Sequence, residues 1–376
     1  MDKQLHIICL NVPYPVNYGG VYDLFYKLPA LQRQGVNIHL HCFLKDRREQ
    51  PELNKYCEHV YYYKRNTGRK AISSKLPYIV ASRNSETLLQ RLLEDDHPIL
   101  MEGVHSTYLT TDKRFDNRKK FVRLHNVEAE YYQQLFKHSR NLKKKLYYRR
   151  EAKLLAAYER KLSHNAAAFW TVTEKDAAHY KMHYDCPNVE YLPLFIPEWE
   201  VTSQEGMGTH CLYHGNLEVE ENEKAACWLL KNVFQKLDVP LVIAGNNPSK
   251  KIIDLVKANP QASLAVNPSE KQMQDVIAKA HINVLPSFNS TGIKIKLVNA
   301  LFNGRHCVVN KEMIEGTRLA EMCHVLKSAT EFKERISFLY HEPLTTAEKE
   351  LRKTILPQEF CNEENAKQII KTIWNE

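Results

Sequence analysis

Apolar residues recur along the chain in short blocks, each closed by a turn and followed by residues spaced as on a helix. Leu5-His6-Ile7-Ile8-Cys9-Leu10 runs into Asn11-Val12-Pro13, and Tyr18-Gly19-Gly20 precedes a helical face carrying Leu24, Leu28 and Leu31. Gly35 closes that helix, and Asn37 to Phe43 is the next strand, with its histidines expected to alternate outward. Pro98–Gly103 and Lys120–Leu124 read as buried strands, the second delivering His125-Asn126-Val127-Glu128 to a strand end. From Glu128 to about Ser163 the pattern is helical with a break near Ser139-Asn141; its apolar face holds Tyr132, Leu135 and Phe136, then Leu142, Leu146, Leu154, Tyr158 and Leu162. Ala166–Thr173 and Val189–Leu194 complete this half.

The stretch from Pro197 to Thr209 is polar and aperiodic, as in a linker. The alternation then restarts: strands are expected at Leu212–Asn216, Pro240–Gly245, Leu264–Val266, Ile282–Leu285 and Cys307–Val309, with helices between them. Six alternations in each half predict an α/β chain of two Rossmann-like parallel-sheet domains facing across a cleft. The expected boundaries are 1–198 for the first domain, 199–209 for the linker, 210–356 for the second domain, and 357–376 for a C-terminal helix packing back on the first.

One of these units carries more chemistry than the others. Between Ile282 and Asn310 a strand stops at Pro286-Ser287, a loop turns at Gly292, and a helical face of Ile293, Leu297, Ala300 and Leu301 follows. Amides at a helix start and the positive end of its dipole favour an anion such as a diphosphate, and Lys294 and Lys296 add charge. On a regular helix only one of two positions i and i+2 faces a ligand, and Lys294, nearer the N-terminus, is the favoured one. An ordinary strand-to-helix connection with surface lysines has the same composition.

Composition narrows the classes. The chain has 376 residues with 43% hydrophobic and 26% charged content, enough for two folded domains. There is no apolar run long enough to cross a bilayer and no secretory leader, so a cytoplasmic protein is expected. Nine cysteines are scattered without C-x-x-C spacing, which suits reduced thiols rather than structural zinc. Residues 1–198 hold 32 Lys+Arg against 22 Asp+Glu, while 199–376 hold 21 against 22. The basic excess concentrates in two places. Tyr61 to Arg83 mixes aromatics and bases without an acid, which suits either a lipid headgroup surface or a solvated loop with a tyrosine-rich edge strand. Lys137 to Lys153 carries eight bases, among them Lys143, Lys144 and Lys145, against the single acid Glu151; it is read as an anionic-membrane face, with a solvated helix face as the alternative. Arg83, Lys143, Lys144 and Lys145 are accordingly assigned to the acceptor or membrane side. No nucleic-acid module accompanies these bases, and no G-x-G-x-x-G of a dinucleotide fold occurs.

Taken in order, Tyr18-Gly19-Gly20, Arg123-Leu124-His125-Asn126-Val127-Glu128, Thr171-Val172-Thr173-Glu174, Tyr213-His214-Gly215-Asn216, Leu241-Val242-Ile243-Ala244-Gly245 and Leu285-Pro286-Ser287 with the Gly292-to-Leu301 helix resemble a GT-B glycosyltransferase, more narrowly the retaining enzymes of glycosyltransferase family four. The resemblance implies that the second domain binds the nucleotide diphosphate of a UDP- or GDP-linked sugar and the first presents the acceptor. It implies His125 at the transferring sugar, Lys294 at the diphosphate, and donor contacts from Gly19, Gly20, Gly215, Asn216, Ser287, Thr291, Gly292, Lys296 and Asn299. No metal or other cofactor is expected, because charge and positioning carry such a transfer.

The sequence departs from the family pattern at two points. Thr291 and Asn299 stand where the family commonly has two glutamates, and Gly215-Asn216 is followed by Glu218, Glu220, Glu221 and Glu223 rather than by Arg and Lys. An amide still reaches a ribose hydroxyl without charge assistance, whereas a threonine cannot grip a sugar as a carboxylate does. The expected function is a glycosyltransferase acting on a lipid-linked or polysaccharide precursor with retention of anomeric configuration, working at the inner membrane face. The alternatives are a non-catalytic GT-B scaffold that binds sugar nucleotide or a partner enzyme and, more distantly, a sugar-nucleotide epimerase.

Overall fold

The computed structural model describes residues 2–16, 19–139 and 141–375, with the backbone alone at Arg69; Tyr18 of the first glycine turn and Arg140 of the basic helix lie outside the described residues. The chain divides into two compact units, Met1–Glu198 with Phe360–Glu376, and Trp199–Glu359.

The first unit is built on strands β1 (Lys3–Cys9), β2 (Val36–Leu44), β3 (His59–Lys64), β4 (Ile99–Glu102), β5 (Lys120–Leu124), β6 (Ala168–Thr171) and β7 (Val189–Tyr191), in the spatial order β3-β2-β1-β4-β5-β6-β7. All neighbours are parallel, and Ile7 pairs with Leu40 on one side and Leu100 on the other. Successive residues point to opposite faces, so Leu5, Ile7 and Cys9 enter one core and Ile8 the other. Helices cover both faces, which is why these strands read as nearly continuous apolar runs.

Of the readings of the tyrosine-rich run, the edge strand is the one found, and two other expectations change. The tyrosine-rich run is β3, a seventh strand at the sheet edge, where the Arg91 guanidinium lies 3.9 Å from the Tyr61 ring centroid. His41 does not point outward: it is buried and bonded to His6 and Tyr63, because β2 is covered on both faces. The break at 139–141 is present between helices Glu128–His138 and Leu142–Leu162, but Leu142 and Leu146 are 82% and 71% exposed, and Leu155 rather than Leu154 enters the core. The final helix, Asn362–Trp374, sets Ala366, Ile369, Ile370 and Ile373 against Leu24, Leu28 and Leu31 of helix Gly19–Arg33.

The second unit holds β8 (His210–His214), β9 (Leu241–Gly245), β10 (Ala262–Val266), β11 (Ala280–Leu285), β12 (His306–Asn310) and β13 (His324–Leu326), in the order β10-β9-β8-β11-β12-β13 and again all parallel. The three-residue β13 is too short to announce itself by periodicity. Residues of the expected linker 199–209 pack on this unit. Thr202 and Ser203 donate their N–H groups to the Phe302 carbonyl, Ser203 is fully buried, and Gly206 forms a bridge with Leu344. Gly245 is required by close approach, because a Cβ there would lie 1.9 Å from the Gly215 carbonyl oxygen.

Candidate functional site

In the first unit the candidate residues gather at the carboxyl ends of β4 and β5. His125 leaves β5, and its Nε2 lies 3.2 Å from Glu102 Oε2 and 3.5 Å from Asp23 Oδ2. Asp23 is gripped by the Arg123 fork at 2.8 and 2.9 Å, by Lys27 at 3.0 Å and by the Phe195 amide at 3.0 Å, while Lys27 also pairs with Glu102. Asp23, Lys27, Glu102 and Arg123 are all buried, so two carboxylates and two cations balance in low dielectric. Burial and the Arg123 and Lys27 charges act on Asp23 in opposite directions, and the charges prevail, holding its pKa well below the usual range. For His125, burial opposes the proton, but the hydrogen bonds and charges of Asp23 and Glu102 outweigh it and raise the pKa. The histidine is therefore an imidazolium over more of the pH range than a free one.

Two neighbours refine this end. Burial and then the Glu159 charge push the Glu128 carboxyl up to about 8, so it keeps its proton at neutral pH. Gly19 and Gly20 open the helix Gly19–Arg33, with Gly20 exposed. Arg83 departs from its expected place. It is 4% exposed and caps the Leu10 and Ile79 carbonyls, so it braces the end of β1 instead of meeting a surface. Lys143, Lys144 and Lys145 stand on the outer helix, with Lys145 Nζ 5.2 Å from the Phe136 ring centroid.

In the second unit the loop after β11 is held from three directions. The Ser287 amide donates to Asn310 Oδ1 at 2.8 Å, its hydroxyl donates to Glu221 Oε1 at 2.7 Å, and Thr291 donates both its amide and its hydroxyl to Asn289 Oδ1 at 2.9 Å. Gly292 takes φ 61°, a left-handed conformation that favours glycine. The helix begins at Ile295 with Lys294 as its N-cap, two residues later than the apolar pattern, which starts at Ile293. Lys294 therefore precedes the helix, and the spacing rule used to choose between the two lysines does not separate them.

Their side chains diverge in a different way. Lys294 Nζ folds over the Thr291 and Gly292 carbonyls. Lys296 Nζ reaches Asn222 Oδ1 at 2.8 Å and the Tyr213 hydroxyl at 3.3 Å, at the carboxyl end of β8. Burial, helped by the nearby Lys294 charge, pushes Lys296 down to about 8. His214 beside it is buried and neutral, with Nε2 lacking a hydrogen-bond partner; burial and then the Lys296 charge push it down to about 3. Lys296 is thus a partly neutralised cation with room to gain from an anion. Nucleoside diphosphate affinity should fall as pH rises through about 8, where the free lysine loses its proton, and Lys296→Ala should weaken binding about 10- to 100-fold, the worth of a charge-assisted bond. Calorimetric titration across pH 7–9.5 measures both.

The remaining assigned residues are shaped by their own surroundings. Asn216 Oδ1 accepts the Glu218 amide at 3.1 Å, and a Cβ on Gly215 would meet Asn222 at 3.3 Å, so this pair forms the turn after β8. Asn299 is 7% exposed and accepts from Asn303 at 2.8 Å. Sequence reasoning passed over Glu221, Asn222, Asn289 and Asn310, and in the first unit Asp23, Lys27 and Glu102. A signal existed for some of them: Asp23 and Lys27, four apart, interrupt the apolar face of Leu24, Leu28 and Leu31. Asn310 ends β12 one residue beyond the Leu285–Val309 pair, within reach of Ser287.

Two all-parallel Rossmann-like units define the GT-B class of α/β protein. Residues 208–342 match the family described as glycosyl transferases group 1. Among curated proteins, an uncharacterized 44.6 kDa protein in the cps region of Klebsiella pneumoniae is 26% identical over 337 residues, 84% of each chain. Among solved structures, TarM gives a TM-score of 0.71 at 9% identity, covering 100% of this chain and 99% of that one. HepE from Anabaena, solved with UDP and glucose, gives 0.66 at 11% identity with full coverage of both chains. MurG from Acinetobacter baumannii gives 0.54 at 11% identity, also with full coverage.

Proposed function

We propose that this protein is a glycosyltransferase that moves a sugar from a UDP- or GDP-linked donor to a lipid-linked or polysaccharide precursor with retention of configuration. The observation that carries the proposal is the braced loop Ser287–Lys294 with Lys296 turned to Tyr213 and Asn222, inside the segment matching glycosyl transferases group 1, which supports reading it as an anion site. The UDP and glucose of the HepE structure and the cps-region relative support donor and pathway class respectively. Lys296, Lys294 and the loop amides would take the diphosphate. His125, whose protonated form Asp23 and Glu102 favour, would hydrogen-bond the transferring sugar. Attack of the acceptor from the face the diphosphate leaves would let positioning and positive charge carry the transfer.

Incubation with UDP- and GDP-hexoses and a lipid-linked acceptor should give a product one hexose heavier whose anomeric configuration, read by NMR, equals the donor's. An inverted product would sink the retaining mechanism. A non-catalytic scaffold is the second reading, favoured by Thr291 and Asn299: both are buried, uncharged and engaged within the unit. Nucleotide binding without transfer under every donor would decide for it.

An anionic membrane surface is the proposed partner. Leu142 and Leu146 stand exposed beside Lys143, Lys144 and Lys145, an apolar and basic combination that suits a headgroup boundary. Each base is worth about 1 kcal/mol there, so neutralising all three lysines should weaken flotation with phosphatidylserine vesicles by about 100-fold. Unchanged flotation would remove the membrane from the account.

A further inference from the structure

The second unit carries a cluster unrelated to the anion site. His306 opens β12, His324 opens β13, and Glu348 lies in the first turn of helix Thr346–Glu359. One ligand-type atom from each lies within 4.8 Å of the others. The cluster sits at the amino ends of the parallel strands, the end opposite the loop that follows β11.

Hydrogen bonding fixes which atoms of His306 and Glu348 are left open. His306 is 2% exposed and its Nε2 lies 3.0 Å from the Glu342 carbonyl, which can only accept, so the ring proton is on Nε2 and the lone pair is on Nδ1. That Nδ1 has no hydrogen-bond partner, although Glu348 Oε1 is 3.4 Å away. Two acceptors therefore face one another. Glu348 Oε2 is already occupied, accepting the Thr345 amide at 2.9 Å and hydroxyl at 2.8 Å, which leaves Oε1 directed into the cluster. The His324 ring has no hydrogen-bond partner among the described residues, and it lies 5.8 Å from His306 between centroids.

We propose that His306 Nδ1, His324 and Glu348 Oε1 bind a zinc ion, with water as the fourth ligand. Zinc takes nitrogen and carboxylate oxygen at about 2.0–2.2 Å in a tetrahedron, which sets neighbouring ligand atoms about 3.4 Å apart, the separation found between Nδ1 and Oε1. A ring N–H given to a backbone carbonyl, as His306 gives to Glu342, is the usual orienting contact behind a zinc histidine. Two imidazoles exclude magnesium and calcium, which take oxygen ligands in larger number. Glu348 is 38% exposed, which leaves the ion a route in. The ion ties β12 and β13 to the helix carrying Glu348 and has no part in the sugar chemistry.

Untagged full-length protein, stripped with EDTA and dialysed, is titrated with zinc chloride while bound metal and melting temperature are followed. Wild type should bind one equivalent per chain and melt higher with zinc. His324→Ala and Glu348→Gln should each weaken binding by about 100-fold or more and abolish the shift. Gln keeps the carbonyl oxygen that accepts from Thr345, so the helix start survives, and a normal melt of metal-free Glu348→Gln confirms a folded variant. No zinc on the wild type, or equal binding by folded variants, overturns the site.

Discussion

Arg123→Ala will destabilise the first unit by about 3–5 kcal/mol, the cost of leaving a buried carboxylate without its cation. Arg123 is fully buried, and its guanidinium holds both oxygens of Asp23 while also donating to the Leu192 carbonyl at 2.7 Å and the Pro193 carbonyl at 2.9 Å. The side chain thereby joins helix Gly19–Arg33, β5 and the segment after β7 in one contact. Removing it leaves Asp23 with Lys27, His125 and the Phe195 amide, and takes a donor from the Leu192 and Pro193 carbonyls. For a unit of this size the loss corresponds to a melting shift of about 10 °C or more. Lysine should not rescue it, because an ammonium lacks the planar fork. Circular dichroism melts measure the effect, and a loss under about 1 kcal/mol would show that the network is not what holds this strand end.

His125→Ala should lower the turnover number by about 100- to 1,000-fold, the usual cost of removing one preorganised donor to transition-state charge. The fold should be spared, since His125 is partly open and its two carboxylates retain Lys27 and Arg123. A positioned imidazolium also has a pH signature. The raised pKa means that activity is full in acid and falls as pH rises through the folded value. Glu102→Gln removes one group that raises it, so the falling limb should move to lower pH while remaining present. The same shift stabilises the folded state below the unfolded histidine value of about 6.5, and that stability is lost as pH rises through the folded pKa. A merely structural histidine would leave the rate profile unmoved.

The architecture was legible because parallel strands covered on both faces are apolar throughout, and the turns between them carry Gly, Pro and Asn. What escaped follows from the same physics. β13 has three residues, too few to carry a period. Leu142 and Leu146 obey helical spacing yet remain exposed, because periodicity shows which residues share a face, not what covers it. The loop Pro286–Gly292 and His125 stood out by position at strand ends. The groups that tune them did not: Glu102 and Asp23 come from distant segments, and Glu221 lay in an acidic run that looked only like a departure from the family pattern. The helical spacing that favours Lys294 over Lys296 does not apply, because Lys294 is the cap and not a helical position.

The proposed reaction binds a sugar nucleotide and releases its nucleoside diphosphate. The most direct measurement is nucleoside diphosphate release from a panel of UDP- and GDP-sugars, with wild type beside Lys296→Ala and His125→Ala. One donor should be turned over by wild type, with both variants slower by about 10-fold or more. A folded wild type that releases nothing from any donor, or variants that match it in rate, would contradict the account.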